Sequence, residues 1–188
     1  MASLQIVLQT LLAAAPGQAQ SITAQPANEA GATGTAINVN GREYTITGGV
    51  ENAGNLFHSL QQFGLSPSEI ATFVSNPNIQ NILTRIVGGD VSIIEGLIQV
   101  TGGNSNLFLL NPAGVVFSDQ AQLNVPASFH VTTANAINFG DRLFNAFGAN
   151  DYSLLVDSPT AYTFTNESTG SIINQADLAV NSGQTLSL

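Results

Sequence analysis

Asn106 to Phe117 reads N-L-F-L-L-N-P-A-G-V-V-F. Two short apolar runs, Leu107 to Leu110 and Val115 to Phe117, flank Asn111, Pro112, Ala113 and Gly114. Short apolar runs bounded by turn residues read as buried strands. Pro112 fixes its own φ and pushes Asn111 toward extended geometry, while Gly114 can take a positive φ that strains other residues. The stretch is a corner between two strands, and taken alone an ordinary Asn-Pro surface turn fits it equally well.

Outward from this corner the same grammar repeats. A second Asn-Pro corner, N-P-N-I, occupies Asn76 to Ile79. After Gly89, short apolar clusters recur near Ile93, Ile98, Phe108, Val116, Leu123, Phe129 and Ile137, then near Leu155, Phe164, Ile172, Leu178 and Leu186, separated by Gly, Asn, Ser, Asp and Pro. Strands this short, without intervening helices, suit coils of a parallel β-helix as well as strands of a sandwich. Asparagines beside the corners (Asn106, Asn111, Asn124, Asn135, Asn138, Asn174) can stack between coils as ladders, which favours the β-helix. The last residues stop inside this pattern rather than at a polar cap, so the chain reads as the N-terminal piece of a longer protein.

The region before Gly89 is more varied. Ile37 and Val39, then Tyr44 and Ile46, alternate across Asn40-Gly41 and predict an antiparallel hairpin. Asn55 to Leu65 fits helix and strand periods alike. Ser66, Pro67 and Glu69 form a capping-box pattern with Leu65 as a staple on Ile70, predicting one short helix over 66–75 that Pro77 ends. The β-branched run from Ile79 to Val87, stopped by Gly88-Gly89, leans to strand. Residues 1–19, apolar and ending with Gly17 and Ala19 at cleavage-like spacing, resemble a leader remnant without its basic start. The alternative is a short amphipathic helix, and either is too short to span a membrane.

Composition narrows the function. Three basic residues (Arg42, Arg85, Arg142), no lysine and a formal charge of -9 leave no basic patch for nucleic acid or anionic lipid. Cysteine is absent, so neither a disulfide framework nor a thiolate metal site exists. The carboxylates Asp90, Glu95, Asp119, Asp141, Asp151 and Asp157 show no paired spacing, and His58 and His130 lie far apart with no nucleophile motif. No catalytic residue, metal or cofactor is therefore expected. Asn166-Glu167-Ser168 is a formal glycosylation sequon.

Taken together, G-G-V-E-N-A-G-N-L-F-H-S-L-Q-Q-F, N-P-N-I, S-I-I-E-G-L-I-Q-V from Ser92 to Val100 and N-L-F-L-L-N-P-A-G-V-V-F resemble the N-terminal two-partner secretion (TPS) domain of filamentous haemagglutinin and related TpsA-type exoproteins, in a compact form similar to cyanobacterial members. The resemblance covers residues 20–188. It implies an all-β right-handed parallel β-helix with an N-terminal cap and a small extra-helical antiparallel sheet. It also implies recognition by the POTRA domains of an outer-membrane TpsB transporter, export through the periplasm to the surface or medium of a Gram-negative-type bacterium, and β-helix folding templated after translocation. The family's N-P-N-L and N-P-x-G motifs carry over to Asn76, Pro77, Asn78, Ile79 and to Asn111, Pro112, Ala113, Gly114, with Ile79 in place of the usual Leu. These residues either contact the transporter or only shape turns. The chain is expected to be a monomer without stable membrane insertion. Competing readings are an adhesin module that binds glycans directly and, with less support, a pectin-lyase-like β-helix enzyme.

Overall fold

The computed structural model describes residues 21–165 and 170–188. The leader-like segment and the sequon at Asn166 lie outside the described residues. The elements are β1 (Ile22–Ala24), β2 (Thr35–Asn40), β3 (Glu43–Gly48), β4 (Val50–Asn52), β5 (Asn55–Phe63), β6 (Ile70–Val74), β7 (Asn81–Ile86), β8 (Ser92–Ile94), β9 (Leu97–Thr101), β10 (Asn106–Leu110), β11 (Val115–Phe117) and β12 (Gln122–Asn124). They continue with β13 (Phe129–Thr132), β14 (Ala136–Phe139), β15 (Arg142–Asn145), β16 (Ala161–Thr163), β17 (Ile172–Asn174) and β18 (Leu186–Ser187).

The strands stack as a parallel β-helix with three faces. Along the first face β5, β7, β10, β13 and β18 pair in parallel; β6, β9 and β12 form the second, and β8, β11 and β17 the third. Inward rows run straight through the stack: Leu56, Ile82, Leu107, Phe129 and Leu186 are register partners in turn. Antiparallel pairing of β1 with β5 and of β2 with β3 closes the N-terminal end as a cap. The hairpin loop is Gly41-Arg42, because Asn40 pairs with Glu43. Gly41 takes φ +61 at the first loop position, as a two-residue hairpin turn requires.

The helix expected over 66–75 is not formed. Its capping signals instead close a turn, with Ser66 N donating to Glu69 Oε2 at 2.7 Å and Glu69 N to Ser66 O at 3.1 Å. Ser68 sits at φ +67, which a helix excludes. From Ile70 onward the backbone is held between β3 and β9, and that two-sided ladder overrides local propensity. Leu65 does not staple Ile70; it is buried and bridges to Ile94 in the next coil. The ambiguous run from Asn55 is β5, and the run after Ile79 is strand β7.

Between β13 and β17 the chain leaves the helix and builds the antiparallel sheet β15-β14-β16, with a 3-10 turn at Tyr152–Leu154 between β15 and β16. This excursion covers the outside of the first face. There Phe57, Leu83, Phe108 and Leu110 pack against Ile137, Phe139, Phe144, Tyr152 and Leu155, a second core outside the coil. Arg85 sits at its margin with no solvent exposure. Its Nε donates to Ser59 Oγ at 2.9 Å, Nη1 to the carbonyls of Asn145 (3.1 Å) and Gly148 (2.8 Å), and Nη2 to Gly31 O at 2.6 Å. One guanidinium thus joins the cap, the first coil and the excursion.

An asparagine ladder runs beside it. Asn81 Nδ2 donates to Asn55 Oδ1 and Asn106 Nδ2 to Asn81 Oδ1, each at 2.9 Å. Of the expected ladder residues, only Asn106 belongs to this row. Asn124 reaches Gln99 at 3.5 Å, while Asn111, Asn135, Asn138 and Asn174 hold turns or the excursion.

Replacing Arg85 by Ala orphans several buried carbonyls and leaves a cavity, so denaturant unfolding is expected to show a loss of about 3 kcal/mol or more. His58 is fully buried in the inner core, its Nδ1 3.0 Å from Thr35 Oγ1 and its Nε2 without a partner. Burial lowers its pKa from 6.5 to about 4. The unfolded chain therefore binds a proton that the folded chain refuses. The contribution of this group to stability is full above pH 6.5 and is lost between 6.5 and about 4, roughly 3 kcal/mol in all. His58→Leu should flatten the pH dependence of unfolding in that window.

Candidate functional site

Both Asn-Pro corners adopt one geometry for one reason. Proline fixes the second position and the asparagine side chain accepts a backbone N–H two residues on, an Asx turn. At the first corner Asn76 Oδ1 accepts Asn78 N at 2.9 Å and Asn76 O accepts Ile79 N at 3.1 Å. At the second, Asn111 Oδ1 accepts Ala113 N at 3.0 Å and Asn111 O accepts Gly114 N at 3.0 Å. They bend the chain at different edges: Asn76 turns the second face into the first, and Asn111 turns the first into the third.

Their surroundings differ. Asn111 has no solvent exposure, and Pro112 and Gly114 are buried with it. Asn111 Nδ2 reaches back to the preceding coil, donating to Asp90 O at 3.0 Å and Ser92 Oγ at 2.9 Å. The following coil closes over the corner: Gly170 N donates to Pro112 O at 2.6 Å and Val115 N to Ser171 O at 3.1 Å. Gly114 lies at φ +117, and a Cβ there would stand 2.9 Å from Ser171 O. This corner is an internal staple between coils. At the other corner Pro77 and Asn78 are exposed and Asn76 is half-buried, while Ile79 drops into the inner core at 2 % exposure. An open groove of about 560 Å³ runs beside it, bordered by Pro77, Gln80, Asn104, Asn106 and Gln184.

The two motifs are therefore not brought together into one site. Nor do the described residues include a group of three or more His, Cys, Asp or Glu placed to hold a metal ion. His130 stacks on Phe108 with ring centroids 4.4 Å apart, and partial burial lowers its pKa. Residues that the sequence did not single out are the partners of Asn111, chiefly Ser92 and the Asp90 carbonyl, and the covering glycine Gly170. Their spacing in sequence follows the coil length, which is visible only once the strands are aligned.

Asn111→Ala removes two donors and the Asx acceptor from a dry site, and is expected to cost on the order of 3 kcal/mol. Asn78→Ala, at an exposed position, should stay within about 0.5 kcal/mol. Parallel urea titrations of the two variants check this ranking.

The family model described as the TPS secretion domain matches residues 21–188. Among solved structures, the chain is similar to the HMW1 secretion domain from Haemophilus influenzae, with 14 % identity and a TM-score of 0.58. The match covers 89 % of this chain and 39 % of that one, so this chain spans about two fifths of that structure's length. Comparison with curated protein sequences finds no match. The fold agrees with that likeness, and the chain belongs to the TPS secretion-domain family, the two-partner secretion domains of exoproteins that Gram-negative bacteria export across the outer membrane.

Proposed function

We propose that residues 21–188 act as the secretion signal of a two-partner secretion exoprotein. The domain is recognised in the periplasm by the POTRA domains of an outer-membrane transporter of the TpsB type and leads the exoprotein through that barrel. The observation that carries this reading, beyond the family match, is the unequal exposure of the two motifs. Asn111, Pro112 and Gly114 are enclosed by neighbouring coils, so their contribution to secretion runs through the fold. Pro77 and Asn78 face outward beside an open groove, so they are the part of the signature that a partner can touch.

The far end of the stack supports the templating part. β12, β17 and β18 each end their sheet, with one side free of pairing among the described residues. A following coil can add there, and it buries its own inward side chains only by doing so. The domain acts as a monomer, since a single copy presents both the corner and the free end. No helix among the described residues is long and apolar enough to cross a membrane.

One observation favours a second reading, direct binding of glycans as an adhesin module. A groove of about 430 Å³ beside the excursion is lined by Phe108, His130, Thr160, Tyr162 and Ser187, without a charged side chain. The enzyme reading gains nothing, since His58 is sealed in the core and His130 is engaged with Phe108.

The double variant Pro77→Ala with Asn78→Ala is expected to keep its circular dichroism and melting temperature while surface secretion with the cognate transporter drops about tenfold or more. Unchanged secretion would leave the N-P-N-I corner a turn former only.

A further inference from the structure

The outward row of the first face ends on a ring with one side open. Register partners place Phe57, Leu83, Phe108, His130 and Ser187 in one line along the stack. The excursion buries the first three, while His130 is half-buried. Phe108 takes one face of the imidazole, 4.4 Å away and within 6° of parallel. The other face turns toward Ser187, whose side chain is too small to cover a ring. That face borders the groove of about 430 Å³ beside the excursion, which Tyr162 also lines. Among the described residues neither the ring nitrogens of His130 nor the Tyr162 hydroxyl has a hydrogen-bond partner, and the hydroxyls of Thr185 and Ser187 are likewise uncommitted.

This groove does not stop at its own rim. Asn106 also lines the groove of about 560 Å³ beside the Asn76 corner, where Gln80 and Gln184 adjoin Asn81 and Thr185 in the chain. The two form one cleft across the first face, each half within the roughly 300–1,000 Å³ of small-ligand sites. Its lining presents amides, hydroxyls and rings, with no charged side chain. Neutrality is not general on this surface: a groove at another corner is lined by Glu69, Glu95 and Asp119.

The floor and the charge restrict what can bind. β7, β10 and β13 are each paired on both sides, so no backbone edge is offered to a peptide strand. With a formal charge of -9 and no cation in the lining, an anion is repelled. A neutral pyranose meets both limits. Its C–H face packs on an open ring, and its hydroxyls, each donor and acceptor, pair with amides and hydroxyls. We infer that this cleft binds a neutral oligosaccharide, with one pyranose ring seated on the open face of His130 beside Tyr162 and further units reaching past Asn106 to Gln80 and Asn104. The inference rests on the glycan reading above, not on the secretion reading, and gives it a place on the domain.

The probes are neutral hexasaccharides of glucose, mannose, galactose, xylose and N-acetylglucosamine. Each is titrated against the folded 188-residue chain while the ring signals of His130 and Tyr162 are followed by NMR. At least one is expected to shift both rings saturably. Tyr162→Phe deletes only a hydroxyl that makes no bond among the described residues. It should weaken binding about fivefold, as the loss of one hydrogen bond does, with the melting temperature unchanged. Ser187→Phe lays a second ring over the open face of His130 and should abolish binding. Asn124→Ala, on the second face, should leave it unchanged. Saturable binding that Tyr162→Phe and Ser187→Phe do not alter overturns this cleft and spares the glycan reading. No shift with any of the neutral sugars overturns both, while the secretion reading stands. Tighter binding of an oligogalacturonate than of every neutral sugar overturns the inference as well, as do ring shifts produced by a neutral serine-threonine hexapeptide and by no sugar.

Discussion

Each coil of this solenoid must bend where the coil beneath it bends. Parallel pairing on every face fixes the strands in register, so the corners have no freedom to drift, and their polar groups must be satisfied within the stack. Asn111 meets that constraint with one side chain. Its oxygen closes the turn on Ala113 N, and its nitrogen bonds the coil below through Asp90 O and Ser92 Oγ. The main chain of the same turn is then bonded by Gly170 and Ser171. An aspartate would lack the donor, and a serine could not reach both partners. Asparagine is required here by hydrogen-bond inventory as much as by turn propensity.

The same economy governs the outer face of the first sheet. A β-helix normally turns that face to solvent, yet here Phe57, Leu83, Phe108 and Leu110 point outward and are covered by the excursion. Arg85 occupies the margin of this second core with neutral oxygen partners throughout its fork. Burial lowers the guanidinium pKa, and a fork satisfied by carbonyls and a hydroxyl keeps the charge hydrogen-bonded. Tyr152 donates its hydroxyl to Gly31 O at 2.7 Å, adding a second tie between excursion and cap. Asn55 adds a third, donating to the carbonyls of Leu155 at 3.2 Å and Asp157 at 2.9 Å.

What could be read from the sequence follows from how local each signal is. The corners at Asn76 and Asn111, the Gly41 hairpin and the short strands rest on residues a few positions apart, and all stand in the structure. The helix over 66–75 failed because its signals are equally local: Ser66 and Glu69 do cap a turn, but β3 and β9 lie on either side of Ile70 and claim its backbone. The ladder was legible as a tendency and not as a row. Asn55 and Asn81 join Asn106 only because the coils repeat at that spacing, which no single stretch announces. In the sequence Arg85 stands out only as one of three basic residues. Nothing near it in sequence reveals that its partners lie in the cap and in the excursion.

That separation bears on the order of folding. Gly31 meets Tyr152, Asn55 meets Asp157 and Arg85 meets Gly148, so the cap and first coils are finished by residues far later in the chain. Until the excursion arrives, Phe57 and Leu83 face water and Arg85 remains solvated, so the early coils gain only part of their eventual burial. Contacts of such long sequence separation fold slowly, because loop closure is unfavourable until they form. For a domain exported as the proposed function requires, this is a physical source of delay within the fold itself. It needs no disulfide, and the chain has no cysteine with which to form one. The delay and the final rigidity come from the same residues: the groups that leave the young chain incomplete are those that lock cap, coil and excursion together once all are present.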